Sequence, residues 1–154
     1  MSVPLPALER FAERARRKLR LPPGALAICL VTNAKMTKWN CAYRGKKSPT
    51  DVLSFAAEET GRARNKRGRQ RRRGELPPSD FVGSSTSRAS YLGDIAIAPA
   101  VARGNARRYG REFSHEMRIL ILHGMLHLMG YDHETDRGQM NRREQRLRRE
   151  LGLA

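Results

Sequence analysis

Acidic residues, cysteines and aromatics are all scarce in this chain, and long apolar runs are missing. Fifteen Asp and Glu stand against 31 Lys and Arg, a formal charge of +16 in 154 residues. That is far more imbalance than solubility requires, so a polyanionic partner is the natural reading and a merely basic, solvated surface the bland alternative. Two cysteines, Cys29 in an apolar run and Cys41 beside Trp39, fall at no paired spacing. A disulfide framework is thereby excluded, reduced thiols in a cytoplasmic protein are expected, and no Cys-based metal pair is on offer. No apolar stretch approaches the roughly 20 residues needed to span a bilayer, which argues against a membrane partner. The opening MSVPLPALERFAERARRKLR carries charges where the apolar region of a secretory signal would lie, and Glu9 and Glu13 speak against a transit peptide.

What remains is enough for one domain, 1–154, with a core that needs no staples. Leu5, Leu8, Phe11, Ala12, Ala15 and Leu19 share a stripe, which predicts an amphipathic helix over 5–20 that Pro22, Pro23 and Gly24 end. Ala25 to Val31 reads as a buried strand, Met36 to Tyr43 as a short helix, and Asp51 to Ala56 as a second strand. Periodicity is then lost from 58 to 91. Within that basic insertion, residues 62–73 carry eight Lys or Arg and no acid, half of the net charge, and are expected to form a low-complexity loop that is mobile without a partner. Leu92 to Ala98 restores a strand, and Pro99 is placed to open a helix that Gly110 stops. From Ser114 a helix apolar nearly all round should occupy the centre of the fold and end near Gly130. Asp136 with Gln139 resembles a variant capping box for a last helix docked by Met140, Leu147 and Leu151. Three or four strands and about five helices, not in strict alternation, predict an α+β fold with a small mixed sheet.

Three of the four histidines fall in the eleven residues H-G-M-L-H-L-M-G-Y-D-H. His123 and His127 lie one helical turn apart, on one face, close enough to bind a single ion through their imidazoles. Gly130 lets the chain reverse so that His133 can supply a third nitrogen. Three protein ligands leave a fourth position open, the mark of a catalytic zinc, which brings the pKa of bound water from about 15.7 to near 7. Taken singly, each histidine would more simply be a satisfied polar residue on a core helix. Asp132 could orient an imidazole from behind, and His115, two turns before His123, fits a supporting or surface position. The spacing matches the metzincin pattern H-E-x-x-H-x-x-G-x-x-H, but Gly124 replaces the Glu that serves as general base in proteolysis. The motif keeps the metal and discards the peptide-bond chemistry.

These eleven residues resemble the signature of the YbeY-type endoribonucleases, also called rRNA maturation factors. Two further segments agree, Tyr43-Arg44-Gly45-Lys46 leading to Thr50-Asp51-Val52-Leu53-Ser54-Phe55, and Leu92-Gly93-Asp94-Ile95. The resemblance implies a zinc-dependent, single-strand-specific RNase in processing and quality control of ribosomal RNA, notably at the 3′ end of 16S rRNA. It also implies a zincin-like site on the central helix, catalytic roles for Arg44 and His123, and the small ribosomal subunit, with a ribosomal protein, as partners. A guanidinium suits the developing charge on a phosphate, since it pairs bidentately and stays charged. Water, Asp132 or His115 could serve as general acid. The chain departs from the family at Ala56, where Pro is common, and in the length and basicity of 58–91.

For RNA, the expected nonspecific phosphate contacts are Arg62, Arg64, Lys66, Arg67, Arg69, Arg71, Arg72 and Arg73. Stacking at Tyr43 or Tyr91 competes with core packing, the commoner fate of such rings. A non-catalytic assembly factor that binds rRNA and uses zinc for structure is the alternative from another class, and a zinc peptidase is the weaker one. Deleting 62–73 should weaken RNA binding at moderate salt and leave metal content unchanged. Equal affinity of the deleted form across a salt titration would refute that role.

Overall fold

The computed structural model describes residues 5–57 and 91–153. In chain order these form α1 (Leu5–Lys18), β1 (Leu26–Leu30), α2 (Asn33–Arg44), β2 (Val52–Ala56), β3 (Gly93–Ile97), α3 (Pro99–Arg108), α4 (Phe113–Leu128) and α5 (Gln139–Glu150). The α+β expectation holds, with three strands and five helices among the described residues. The eight basic residues of 62–73, and all but the last residue of the insertion at 58–91, lie outside them. No helix among the described residues is long and apolar enough to cross a membrane.

The sheet runs in the order β1-β3-β2, with β3 parallel to β1 and antiparallel to β2. β3 is central because it can be covered on both faces: Ile95, Ala96 and Ile97 are all buried, as a continuous apolar run allows. Its alternation divides the core. Ile95 and Ile97 face the larger cluster, built from Leu8 and Phe11 of α1, Met117, Leu122 and Met125 of α4, and Met140 and Leu147 of α5. Ala96 faces the opposite way, with Leu53 and Phe55 of β2 and Met36 of α2. Trp39 and Tyr43 meet Phe55 edge-on at 5.6 and 4.8 Å between ring centroids, an arrangement that favours aromatic packing. Tyr43 is thus a core ring here. Most of α4 is buried, in keeping with its central place.

Two helices begin at residues other than those expected from the sequence. α2 begins at Asn33 rather than near Met36 because the Thr32 hydroxyl accepts from the Lys35 N–H at 3.2 Å, a side-chain N-cap. α5 starts at Gln139, with Gly138 rather than Asp136 in the capping position. The Asp136 carboxylate still accepts from the N–H groups of Gly138 (2.8 Å) and Met140 (2.7 Å), and the Gln139 side chain accepts from Arg137 N–H at 2.7 Å. The same two side chains thus bond free N–H groups at this helix end, but the cap itself lies two residues later, at Gly138. Ala56 is the last residue of β2, so the departure from proline falls on the strand end.

Gly93 opens β3 at φ +144°, and a Cβ there would lie 2.1 Å from the Phe55 carbonyl oxygen and 2.9 Å from the Ala57 nitrogen. Both are backbone atoms, so no rotamer change can make room. Gly93→Ala should therefore destabilise the fold by at least about 2 kcal/mol, read as a lower urea midpoint; an unchanged midpoint would show that β2 can move aside without loss.

Candidate metal centre

α4 ends in paired reversing hydrogen bonds: Gly130 N–H to His127 O at 3.0 Å and Tyr131 N–H to Leu126 O at 3.1 Å. Gly130 sits at φ +97°, a conformation that glycine adopts without steric cost. The reversal carries His133 back over the helix. Ring centroids lie 4.7 Å apart for His123 and His127, 5.5 Å for His123 and His133, and 5.2 Å for His127 and His133. One nitrogen from each ring falls within 4.8 Å of the others.

The two helical imidazoles point Nε2 at Nε2, 3.1 Å apart. Two nitrogens bound to one tetrahedral zinc at about 2.0–2.1 Å would be roughly 3.3 Å apart, so this pair already has the spacing of ligands. The protons support that reading. His123 Nδ1 donates to Glu144 Oε2 at 2.9 Å, which leaves the Nε2 lone pair free on the neutral ring. His127 hydrogen-bonds the backbone of Tyr131, and burial, then the neighbouring His123 and His133, push its pKa below the usual histidine value. The form favoured is the neutral one that binds metal. His133 is exposed, so the cluster opens to solvent on that side. Three imidazole nitrogens with an open flank suit a divalent ion such as zinc.

Glu144 went unrecognised in the sequence. It is 6% exposed and also paired with Arg148. Burial alone would raise its pKa, but the hydrogen bond and charge of His123, together with Arg148, outweigh this and hold it low. A signal existed, because Met140, Glu144, Leu147 and Leu151 form one helical stripe and an acid on an apolar stripe demands a partner.

Arg44 is the last residue of α2, before Gly45 at φ +70°. Its guanidinium, half exposed, donates to Glu134 Oε1 at 3.3 Å, which brings it beside the segment that carries His133. Glu134 was also not anticipated. Asp132 Oδ1 accepts from Glu134 N–H at 3.0 Å and so shapes that turn, while its charge acts on His127. His115, on the first turn of α4, lies outside the histidine cluster. Neither Cys29 nor Cys41 belongs to the cluster.

Gly124 faces the sheet. A Cβ there would come within 2.8 Å of Ile95 Cγ2, and Ser54 Oγ donates to the Gly124 carbonyl at 3.2 Å. The position that bears the proteolytic Glu in metzincins is here a point of contact between helix and strand.

A core helix with two histidines one turn apart, a glycine reversal that returns a third, and a small mixed sheet beneath define a metal-dependent hydrolase with a zincin-like centre and no protease carboxylate. Within that class the chain belongs to the endoribonuclease YbeY family, whose model, described as Endoribonuclease YbeY, matches residues 6–152. The protein of that name from Geobacillus thermodenitrificans is 39% identical over 130 residues, which cover 84% of this chain and 73% of the relative. The one from Solibacter usitatus is 38% identical over 149 residues, 96% of this chain and 80% of the relative. A solution structure of a Thermotoga maritima protein shares the fold, with a TM-score of 0.52 and 24% identity over 96% of this chain and 80% of the other.

Because Glu144 fixes which His123 nitrogen carries the proton, Glu144→Gln should weaken metal binding by about 10–100-fold. Competition with a chromogenic chelator measures this, and an unchanged affinity would show that the carboxylate does not tune the ligand.

Proposed function

We propose that this protein is a zinc-dependent endoribonuclease that cuts single-stranded RNA in the processing and quality control of ribosomal RNA, including the 3′ end of 16S rRNA. The observation that carries the proposal is the convergence of three imidazoles where the residue after the first histidine is a sterically required glycine. Zinc bound by His123, His127 and His133 would supply a Lewis acid and the acidification of a water in the open position. A peptidase reading loses its general base at Gly124.

The remaining chemistry belongs to the protein. Glu144 holds His123 in one tautomer and orientation. Arg44, paired with Glu134 across a half-exposed contact, can exchange that carboxylate for a phosphate at small cost, because an exposed ion pair is worth only about 0–1 kcal/mol. A phosphodiester offers the guanidinium two oxygens in place of one and neutralises it in return. Asp132 keeps the turn that presents His133.

In this reading 1–154 acts as one domain, the basic insertion at 58–91 adds nonspecific phosphate contacts, and the protein works in the cytoplasm on the small ribosomal subunit, with a ribosomal protein as a further partner.

Incubation of the purified protein with a labelled single-stranded RNA tests the proposal. His123→Ala should lose both metal and cleavage. Arg44→Ala should keep its metal and lose about 10²–10³-fold in rate, the scale of removing one group that stabilises developing charge. Cleavage undiminished in His123→Ala would trace the activity to another nuclease and overturn the assignment.

A further inference from the structure

A second cationic site lies outside the metal centre. The C-terminal end of α1 and the face of α5 enclose a cleft of about 560 Å³, lined by Arg17, Lys18, Arg20 and Arg143 around the apolar Leu19 and Leu147. Part of this charge has a local explanation. Arg17 pairs with Glu13, and Lys18 lies 3.2 Å from Glu150, the one acid of the lining. Cations in the last turn of a helix are also favoured by its dipole.

Arg20 and Arg143 have neither explanation. Among the described residues no hydrogen bond or ion pair engages the Arg20 side chain, and Arg143 Nε is buried with no partner. Arg143 lies in the N-terminal half of α5, where the dipole does not reward a positive charge. Arg20 follows α1 at φ +56° and is the non-glycine residue with positive φ among those described. Leu21 N–H returns to Arg16 O and Arg20 N–H to Arg17 O, both at 3.0 Å, the C-terminal motif in which glycine is preferred at the left-handed position. An arginine in a conformation that suits glycine, at a residue that lines the cleft, points to a ligand for its side chain.

We propose that this cleft binds the phosphodiester backbone of a single-stranded RNA. The inference rests on the endoribonuclease reading and adds a contact surface to it. The cleft carries four cations and one acid, and that acid is already occupied by Lys18. Its planar, weakly hydrated guanidiniums suit phosphate oxygens, while Leu19 and Leu147, buried in the core, form the floor beneath them. α5 would then serve two purposes, presenting Glu144 to His123 and, one residue earlier, Arg143 to the strand.

The decisive variants are Arg20→Gly and Arg143→Gln in the full chain, singly and together. Fluorescence anisotropy with a labelled single-stranded RNA gives the affinity and its salt dependence, and thermal melting gives stability. Arg20→Gly should melt at the same or a higher temperature and yet bind RNA several-fold more weakly at low salt. Each lost phosphate contact should lower the slope of log affinity against log salt by about 0.7, so the double variant should lose about twice that. An unchanged slope, or a lower melting temperature for Arg20→Gly, would overturn the proposal. Inorganic phosphate is the second probe. If phosphate stabilises the wild type saturably and the variants not at all, while RNA affinity is unchanged, the cleft takes a small anion and the RNA proposal falls. The readout is affinity rather than cleavage, so a chain that failed to cut RNA would refute the proposed function and leave this result legible.

Discussion

The close approach of α4 to the sheet at Gly124 and Ile95 constrains nearly everything else in the structure. α4 is buried on most of its circumference, and from Ile119 to Leu128 the residues that are not fully buried are His123 and His127. The absence of a side chain at Gly124 lets the helix rest on β3, where a Cβ would collide with Ile95. Because interiors are packed to crystal-like density, that contact sets the height and rotation of the helix, and with them the direction of both histidines.

From there the electrostatics follow. Two imidazoles with nitrogens 3.1 Å apart cannot both be protonated without strong repulsion, and burial favours the neutral ring of His127 further. A buried carboxylate would be costly in such a place on its own. Glu144 is tolerated because it accepts from His123 and pairs with Arg148. The ligand is therefore oriented by the same network that makes the carboxylate acceptable inside the protein.

Helical periodicity is local, and what depended on it was legible in the chain. The i, i+4 spacing of His123 and His127, the glycine that reverses α4, the apolar run of the central strand and the stripe of α1 all involve residues close in sequence, where backbone geometry dictates neighbours. Cap positions were less legible. Thr32 extends α2 forward and Gly138 displaces the start of α5, because several polar side chains near a helix end can satisfy the same free N–H groups. Three separated motifs also pointed to the family, which the match over 6–152 establishes.

Sequence alone singled out the three clustered histidines and the loss of the protease carboxylate, since both are written in eleven consecutive residues. The partners of those residues had to wait for the folded chain. Glu144 is 21 residues from His123, and Arg44 is 90 residues from Glu134. Nothing in the spacing of such pairs encodes their meeting. Contacts of that kind are set by how α5 and α2 pack around α4 and the sheet, and packing is decided by the whole core rather than by any segment of it.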